Sequence, residues 1–317
     1  MHALTYAPEA PAGLRLRTVP EPVPQAAQAL IEVHAVSLNF GELAFKSARA
    51  RPGSVLGTDA AGVVIKAADD GSGPPTGARV VTFGWAAGAW AERRAANVAD
   101  LAVVPDSVDL AAASALPAAG VTALRALRRL GPVLGRRVLI TGASGGVGRF
   151  AVQLAAHAGA HVIASVGSPA RGEGLSELGA DEIVIGPQNV TAPVFGVLDN
   201  VGGTQLAEAF ALLEDGGCVQ SIGMASREPT TIDFEQERLS GLRKRIESFM
   251  VGDPGFDPGF GPDLAHLVGR LEDGALDPQI GWRGSWEHAG EAAEALLARR
   301  VLGKAVLDVG ARNGSRP

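Results

Sequence analysis

Arg137-Val-Leu-Ile-Thr-Gly-Ala-Ser-Gly-Gly-Val-Gly-Arg-Phe-Ala-Val-Gln-Leu-Ala-Ala-His-Ala-Gly159 passes from an apolar run through a glycine cluster to a helical repeat. Val138 to Ile140 read as a buried strand and Gly142 to Gly148 as a tight turn. Val147, Ala151, Leu154, Ala155 and Ala158 recur at the three-and-four spacing of a helix laid on a sheet. Gly159 ends that helix, because glycine takes the left-handed C-terminal position without strain. Within the turn, Ala143-x-Gly145-x-x-Gly148 follows the dinucleotide-binding spacing with alanine in its first slot. Gly145 lets backbone approach a pyrophosphate, Gly148 lets helix and strand pack closely, and Ser144, Gly145, Gly146, Val147 and Gly148 surround the partial positive charge of a helix start. Glycine spacing alone is weak in a chain with 42 glycines among 317 residues. The strand before it and the helix after it favour a coenzyme site over a purely structural turn.

The next strand, His161-Val-Ile-Ala-Ser-Val166, selects the dinucleotide. An NAD site wants a carboxylate about 20 residues past the turn for the ribose hydroxyl, whereas a 2′-phosphate wants a cation and small donors. Here the strand runs into Gly167-Ser-Pro-Ala-Arg171 with no acid before Glu173. Ser168 and Arg171 are therefore the candidate 2′-phosphate ligands, and NADPH is expected over NADH. The alternative for Arg171 is a solvated charge at a helix start.

Composition narrows the class. With 46% hydrophobic residues over 317, a substantial core and two lobes are expected. A net charge of −6 argues against a nucleic-acid surface, and Arg243-Lys-Arg245 is short enough to be a solvated face. Cys218 is the single cysteine, so internal disulfides are excluded and a reducing compartment is expected. Met1-His-Ala-Leu-Thr-Tyr-Ala-Pro8 lacks the basic and apolar segments of a signal peptide, and no apolar run approaches the roughly 20 residues of a membrane span. A soluble cytoplasmic protein without membrane or nucleic-acid partners is the expectation.

Up to about Leu110 the chain reads as short strands between turns: Ala29 to Val36, Val63 to Lys66, Arg79 to Phe83, Trp90 to Arg93 and Leu101 to Val104. Their spacing and Pro/Gly punctuation suggest a compact, partly open β-barrel. Asp109 to Leu127 turns helical, with Asp109 as a possible cap and a break at Leu116-Pro117; Ala118 to Arg129 leads into the nucleotide domain. After the glycine turn, strands at His161 to Val166, Glu182 to Ile185, Val194 to Asn200 and Gly217 to Ile222 alternate with helices near Gly172 to Leu178, Gln205 to Leu213 and Phe234 to Leu242, as a doubly wound sheet requires. Asp253 to Pro262 is a repeated turn-rich surface loop. Helices Asp263 to Asp273 and His288 to Arg300 follow, and a last strand, Lys304 to Val309, is expected to return to the first lobe.

The chain resembles the zinc-independent quinone oxidoreductase and enoyl reductase branch of the medium-chain dehydrogenase/reductase superfamily. The resemblance rests on Val36-Ser-Leu-Asn-Phe-Gly-Glu42, Leu56-Gly-Thr-Asp-Ala-Ala-Gly-Val-Val64, Leu116-Pro-Ala-Ala-Gly-Val-Thr-Ala123, the turn at Gly142 to Gly148, Asp199-Asn-Val-Gly-Gly203, Gly216-Gly-Cys-Val-Gln-Ser-Ile-Gly223 and Gly303-Lys-Ala-Val-Leu307. It implies an α/β fold with a GroES-like, partly open β-barrel catalytic domain over 1–115, completed by 259–317, and a Rossmann doubly wound NADP-binding domain over 116–258. Where zinc-dependent relatives read Gly-His-Glu, this chain reads Gly57-Thr-Asp59, so no metal is expected. His34 and Asp59 are the best remaining pieces, and His34 reads rather as a structural histidine.

Without a Lewis acid, reduction of a simple ketone is hard, whereas a quinone or enone spreads the developing charge over a conjugated system. The resemblance places Asn39 near the nicotinamide and the substrate oxygen, as a donor to the oxyanion, with a loop-fixing amide as the alternative. Relatives place a tyrosine shortly after that asparagine. Here the stretch is Gly41-Glu-Leu-Ala-Phe45 and the single tyrosine is Tyr6, so solvent, Glu42 or another group must deliver any proton. Phe40 and Phe45 are candidate substrate-lining residues. Trp85, Trp90, Trp282 and Trp286 read mostly as core.

Further carry-overs are Thr122 at the nicotinamide end or as a helix N-cap, Val201, Gly223 and Met224 at strand ends facing ribose and nicotinamide, and Lys304 either at the coenzyme or on the surface. Gly186 stands where relatives often have an adenine-stacking aromatic. The expected function is NADPH-dependent hydride transfer to a quinone or α,β-unsaturated carbonyl. The alternatives are an enoyl reductase acting on a polyketide or acyl thioester, and a crystallin-like NADPH-binding protein with little turnover. A homodimer through the sheet edge near Gly241 to Val251 is implied by the resemblance.

Overall fold

The computed structural model describes residues 1–84, 88–253, 255–256 and 259–310, apart from the Arg49 side chain. Trp85 and residues 254, 257 and 258 of the turn-rich loop lie outside the described residues. The chain divides into two compact units, Met1–Val121 with Asp257–Pro317, and Thr122–Phe256.

In the second unit, strand Arg137–Thr141 leads through Gly145 into helix Gly146–His157, and Gly159 takes φ +78° just past the helix end. The helix is buried on almost every side, from Gly148 through Ala155, so Phe150 and Val152 join the apolar stripe that the spacing marks, while Ala158 is exposed. A six-stranded parallel sheet runs Glu182–Ile185, His161–Val166, Arg137–Thr141, Val194–Asp199, Leu213–Ser221, Arg245–Ser248. In chain order this is the 3-2-1-4-5-6 arrangement of a doubly wound sheet, with its switch point between Arg137–Thr141 and Val194–Asp199.

The last of these strands escapes the sequence reading, because Arg-Ile-Glu-Ser carries one apolar side chain and lies exposed along the sheet's edge. A helix near Gly172 to Leu178 is a correction. Pro169–Gly172 makes one 3-10 turn, and the chain continues in turns because Gly174 and Gly179 hold φ of +74° and +102°.

The first unit is a seven-stranded, mostly antiparallel sheet, running Ile280–Ser285, Lys304–Asp308, Gln28–Leu38, Asp59–Lys66, Arg79–Phe83, Leu101–Val103, with Arg93–Asn97 also paired to Gln28–Leu38. The long strand Gln28–Leu38 serves two neighbours on one side: its first half takes Arg93–Asn97, and Ala35 to Leu38 take Lys304–Asp308. The returning strand therefore begins, at Lys304, beside Asn39. Leu4, Ile31, Val36, Leu38, Leu43, Trp90, Trp286 and Leu307 fill the core beneath.

Three boundaries differ from expectation. The strand ending at Lys66 begins at Asp59, because a buried carboxylate interrupts the apolar pattern. Trp90 to Arg93 is not a strand; the strand is Arg93–Asn97, and Trp90 is fully buried. The helix expected from Ala118 opens with a wide turn, Pro117–Val121, before Thr122–Leu130. Asp109 does cap helix Leu110–Ser114, its carboxylate accepting from the Ala111 amide at 3.2 Å. Among the described residues no helix is long and apolar enough to cross a membrane.

Candidate active site

At the carboxyl ends of the parallel strands the glycine turn is held by packing. A Cβ on Gly148 would lie 2.4 Å from the Gly142 carbonyl oxygen and 2.6 Å from Ala143 Cα, so the helix approaches the strand as closely as only glycine permits. On Gly145 the nearest atom would be 3.4 Å away, an ordinary contact, which leaves that position open toward a ligand. First-turn helix amides have no intrahelical acceptor, so those of Gly146, Val147 and Gly148 carry the anion-binding character.

Arg171 Nε donates to Ser144 Oγ at 2.9 Å, and the Arg171 amide donates to the Ser168 carbonyl at 3.1 Å. The structure thus brings Ser144, Ser168 and Arg171 together beside the turn. The strand ends across the switch point are stapled by groups the sequence reading missed. Thr141 Oγ1 donates to buried Asp199 at 2.6 Å, Asp199 also accepts from the Gly202 amide at 2.9 Å, and Asn200 Nδ2 donates to the Thr141 carbonyl at 2.9 Å. Burial pushes the Asp199 carboxyl up, opposed by these donors.

Val201 reaches this centre, since a Cβ on Gly142 would lie 3.1 Å from its Cγ2. Gly223 does too, with a Cβ there falling 2.6 Å from the Asn200 carbonyl oxygen. Met224 is exposed. Thr122 starts the regular part of helix Thr122–Leu130, directly after the wide turn, so it is not an N-cap.

In the first unit the Asn39 loop meets a buried charged cluster. Asp59 is 0% exposed; its Oδ2 accepts from Ser37 Oγ at 2.8 Å and Asn39 Nδ2 at 2.9 Å, with Lys304 Nζ at 3.5 Å. Its Oδ1 accepts from Thr58 Oγ1 at 2.8 Å and the Ala118 amide at 3.2 Å. Asn39 Nδ2 also donates to Glu42 Oε2 at 2.8 Å, and Asn39 Oδ1 accepts from Lys304 Nζ, which further donates to the Leu38 carbonyl at 3.3 Å. Both N–H groups of Asn39 are thereby engaged, which is the geometry of the loop-fixing alternative.

Lys304 is 2% exposed, so a surface lysine is ruled out. Burial pulls its pKa down, against the attraction of Asp59 and Glu42. Glu42, half-buried on the short helix Phe40–Ala44, is raised from 4.5 to about 7, chiefly by burial and then by the negative charge of Asp59. Arg94, whose Nη1 donates to the Thr58 carbonyl at 2.7 Å, is lowered by burial to about 10.

The cluster rests on core packing. Gly57 holds φ +93°, and a Cβ there would lie 2.1 Å from Trp90 Cδ1; the indole Nε1 in turn donates to the Ser37 carbonyl at 3.1 Å. Phe40 and Phe45 flank Asn39, both half-buried, at the two ends of Phe40–Ala44.

A metal does not fit this donor set. Every Asp59 oxygen is already occupied, an ammonium stands beside it, and His34 faces outward on its strand next to Glu32 at 3.6 Å. Among the described residues no group of three or more His, Cys, Asp and Glu side chains is arranged so that it could hold a metal ion. The second unit, by contrast, has the glycine turn and helix start that suit a nicotinamide dinucleotide, with the Arg171 guanidinium beside them.

Residues 25–106 match the family model described as alcohol dehydrogenase GroES-like domain, and residues 146–260 the one described as zinc-binding dehydrogenase. The chain belongs to the medium-chain dehydrogenase/reductase superfamily. Within that superfamily it is similar to quinone oxidoreductases and to enoyl-reductase-like proteins. The chain is 32% identical over 303 residues to the spectinabilin polyketide synthase system protein NorB of Streptomyces orinoci, a match covering 90% of this chain and 14% of NorB. It is 37% identical over 193 residues to acrylyl-CoA reductase AcuI of Ruegeria pomeroyi, covering 54% of this chain and 56% of AcuI.

Among solved structures, the quinone oxidoreductase from Coxiella burnetii is 28% identical, covers 98% of this chain and is itself covered to 99%, with a TM-score of 0.83. Mycobacterial Rv1454c, complexed with NADPH, is 26% identical over 97% of this chain and 100% of its own, with a TM-score of 0.84. The chain thus spans a small part of NorB and about half of the acrylyl-CoA reductase, while its fold matches the Coxiella burnetii protein and Rv1454c over nearly their whole length.

Proposed function

We propose that this medium-chain reductase transfers hydride from NADPH to a quinone or an α,β-unsaturated carbonyl, with no metal in the step. The observation that carries the reading is the 2.9 Å bond from Arg171 Nε to Ser144 Oγ, which sets a guanidinium at the glycine turn where an NAD site wants a carboxylate. When bound, the coenzyme supplies a hydride equivalent at its nicotinamide. The chain's own groups do the holding: helix-start amides of Gly146 to Gly148 take the pyrophosphate, Ser168 and Arg171 the 2′-phosphate, and Val201, Gly223 and Met224 border the ribose and nicotinamide.

On the acceptor side, Asn39 is oriented by Asp59, Glu42 and Lys304, with Phe40 and Phe45 beside it. An enolate or hydroquinone anion delocalises its own charge, so hydrogen bonds of ordinary strength suffice to stabilise it. The names carried by the relatives, acrylyl-CoA reductase and a polyketide synthase protein, favour an enoyl thioester as the second reading. The test is NADPH oxidation followed with 1,4-benzoquinone and with a crotonyl thioester. Turnover of either supports the proposal, whereas tight NADPH binding without oxidation across a panel of quinones and enones would establish a coenzyme-binding protein with little turnover.

We also propose a homodimer through the edge strand Arg245–Ser248. Among the described residues that strand pairs on one side only, and Ile246, Met250, Leu242 and Leu239 are exposed around it. An unpaired edge with apolar neighbours is a template for a second copy. Ile246→Lys is expected to convert a dimer to a monomer in sedimentation velocity, and an unchanged species would place the interface elsewhere.

A further inference from the structure

Resting on the reductase reading above, we propose that Glu42 is the acid that protonates carbon after hydride addition, and that the acceptor is an α,β-unsaturated carbonyl rather than a quinone. Tyr6, the single tyrosine, is buried in the core, so no phenol serves the Asn39 loop. Asp59, the other acid of the cluster, is enclosed, with both oxygens occupied by Ser37, Asn39, Thr58, Lys304 and the Ala118 amide. Glu42 alone in the cluster combines an ionisable proton with partial exposure.

Its aim is set by Asn39, three residues before it, whose amide spans Glu42 and Asp59 while Lys304 holds the amide oxygen. The charged groups facing it are Asp59 from its strand, Lys304 from the returning strand and Arg94 from Arg93–Asn97. Lys46, on the next helix, turns instead to the Leu43 carbonyl at 2.7 Å. On the helix Ala289–Leu297 packed against Phe40–Ala44, Glu291 pairs with His288 and Glu294 is exposed. Burial and the Asp59 charge hold the Glu42 carboxyl near 7, where an acid is half-loaded at neutral pH and matched to proton transfer.

Hydride from a reduced nicotinamide forms a bond to the β-carbon, and the alkene π pair moves to leave an enolate. A C–H bond then forms at the α-carbon as the Glu42 O–H breaks, leaving carboxylate, which solvent reprotonates. The alkene gains two electrons and two hydrogens, and the coenzyme is oxidised by two electrons. A quinone takes its protons on oxygen, directly from water, and needs no such acid.

Glu42→Gln keeps an acceptor for Asn39 and removes the proton. It is expected to lower kcat with a crotonyl thioester by about 100-fold or more, to leave the NADPH dissociation constant within about threefold, and to lack the fall in kcat above about pH 7 that is expected of the wild type. Glu42→Asp is expected to restore part of the rate and the pH limb. Carbon-13 NMR of the coenzyme-free protein supplies a readout independent of turnover: one glutamate carboxyl should titrate near neutrality and vanish in Glu42→Gln.

Wild-type rate and pH profile in Glu42→Gln, or no carboxyl titrating above the ordinary range, would overturn the proposal. A wild type that reduces the quinone but not the thioester would overturn it while leaving the reductase reading standing. A wild type that reduces neither acceptor would remove both.

Discussion

Lys304→Met is expected to lower folding stability by about 3–5 kcal/mol, the range for breaking one partner out of a buried charge pair. Lys304 is 2% exposed and Asp59 0% exposed, so neither can turn to water when the other is removed. Methionine fills much of the same volume, so the loss isolates the charge rather than a cavity. Asp59 would retain Ser37, Asn39 and Thr58 as donors, and Asn39 would lose the ammonium at its carbonyl. Urea unfolding measures the loss. The double variant Asp59→Asn with Lys304→Met should recover a large share, giving a coupling energy that two independent sites would not show. A single variant within about 1 kcal/mol of wild type would mean that the ammonium contributes no net compensation.

The second large effect concerns the coenzyme. Arg171→Ala is expected to weaken NADPH by about 10- to 140-fold, since a hydrogen-bonded charge contributes about 1.5–3 kcal/mol and each 1.4 kcal/mol is tenfold. NADH, which has no 2′-phosphate, should weaken by less than about threefold. Titration of protein fluorescence with each coenzyme gives both constants. The bond from Arg171 to Ser144 makes the comparison informative, because loss of that bond alone would disturb the turn for both coenzymes. Equal losses would therefore assign Arg171 to supporting the turn, and Ser144→Ala would then reproduce them.

The nucleotide unit was legible because its signals are local. Apolar strand, glycine turn and helical repeat lie within Arg137 to Gly159, and Gly148 shows its reason in the 2.4 Å approach to the Gly142 carbonyl oxygen. The return of Lys304–Asp308 to the first unit was legible as a strand with no neighbour in sequence. The charged cluster was not, because its members look unrelated along the chain. Asp59 reads as a remaining piece of a metal motif, Lys304 as a residue at the coenzyme or on the surface, and Glu42 as one of several proton sources. Only the pairing of Gln28–Leu38 with strands from both ends of the chain puts them together. Edge strand Arg245–Ser248 was hidden for the opposite reason, since a strand lying exposed at a sheet's rim needs no apolar pattern.

The contact between Asn39 and Lys304 spans 265 residues of sequence. During synthesis on a ribosome, Asp59 and Asn39 emerge long before their ammonium partner does. Until the strand Lys304–Asp308 arrives, the nascent barrel holds this acid without its ammonium partner, so its polar centre closes only once residue 304 has emerged. A product truncated ahead of residue 304 would lack that ammonium, which makes synthesis through this strand the condition for a settled polar centre.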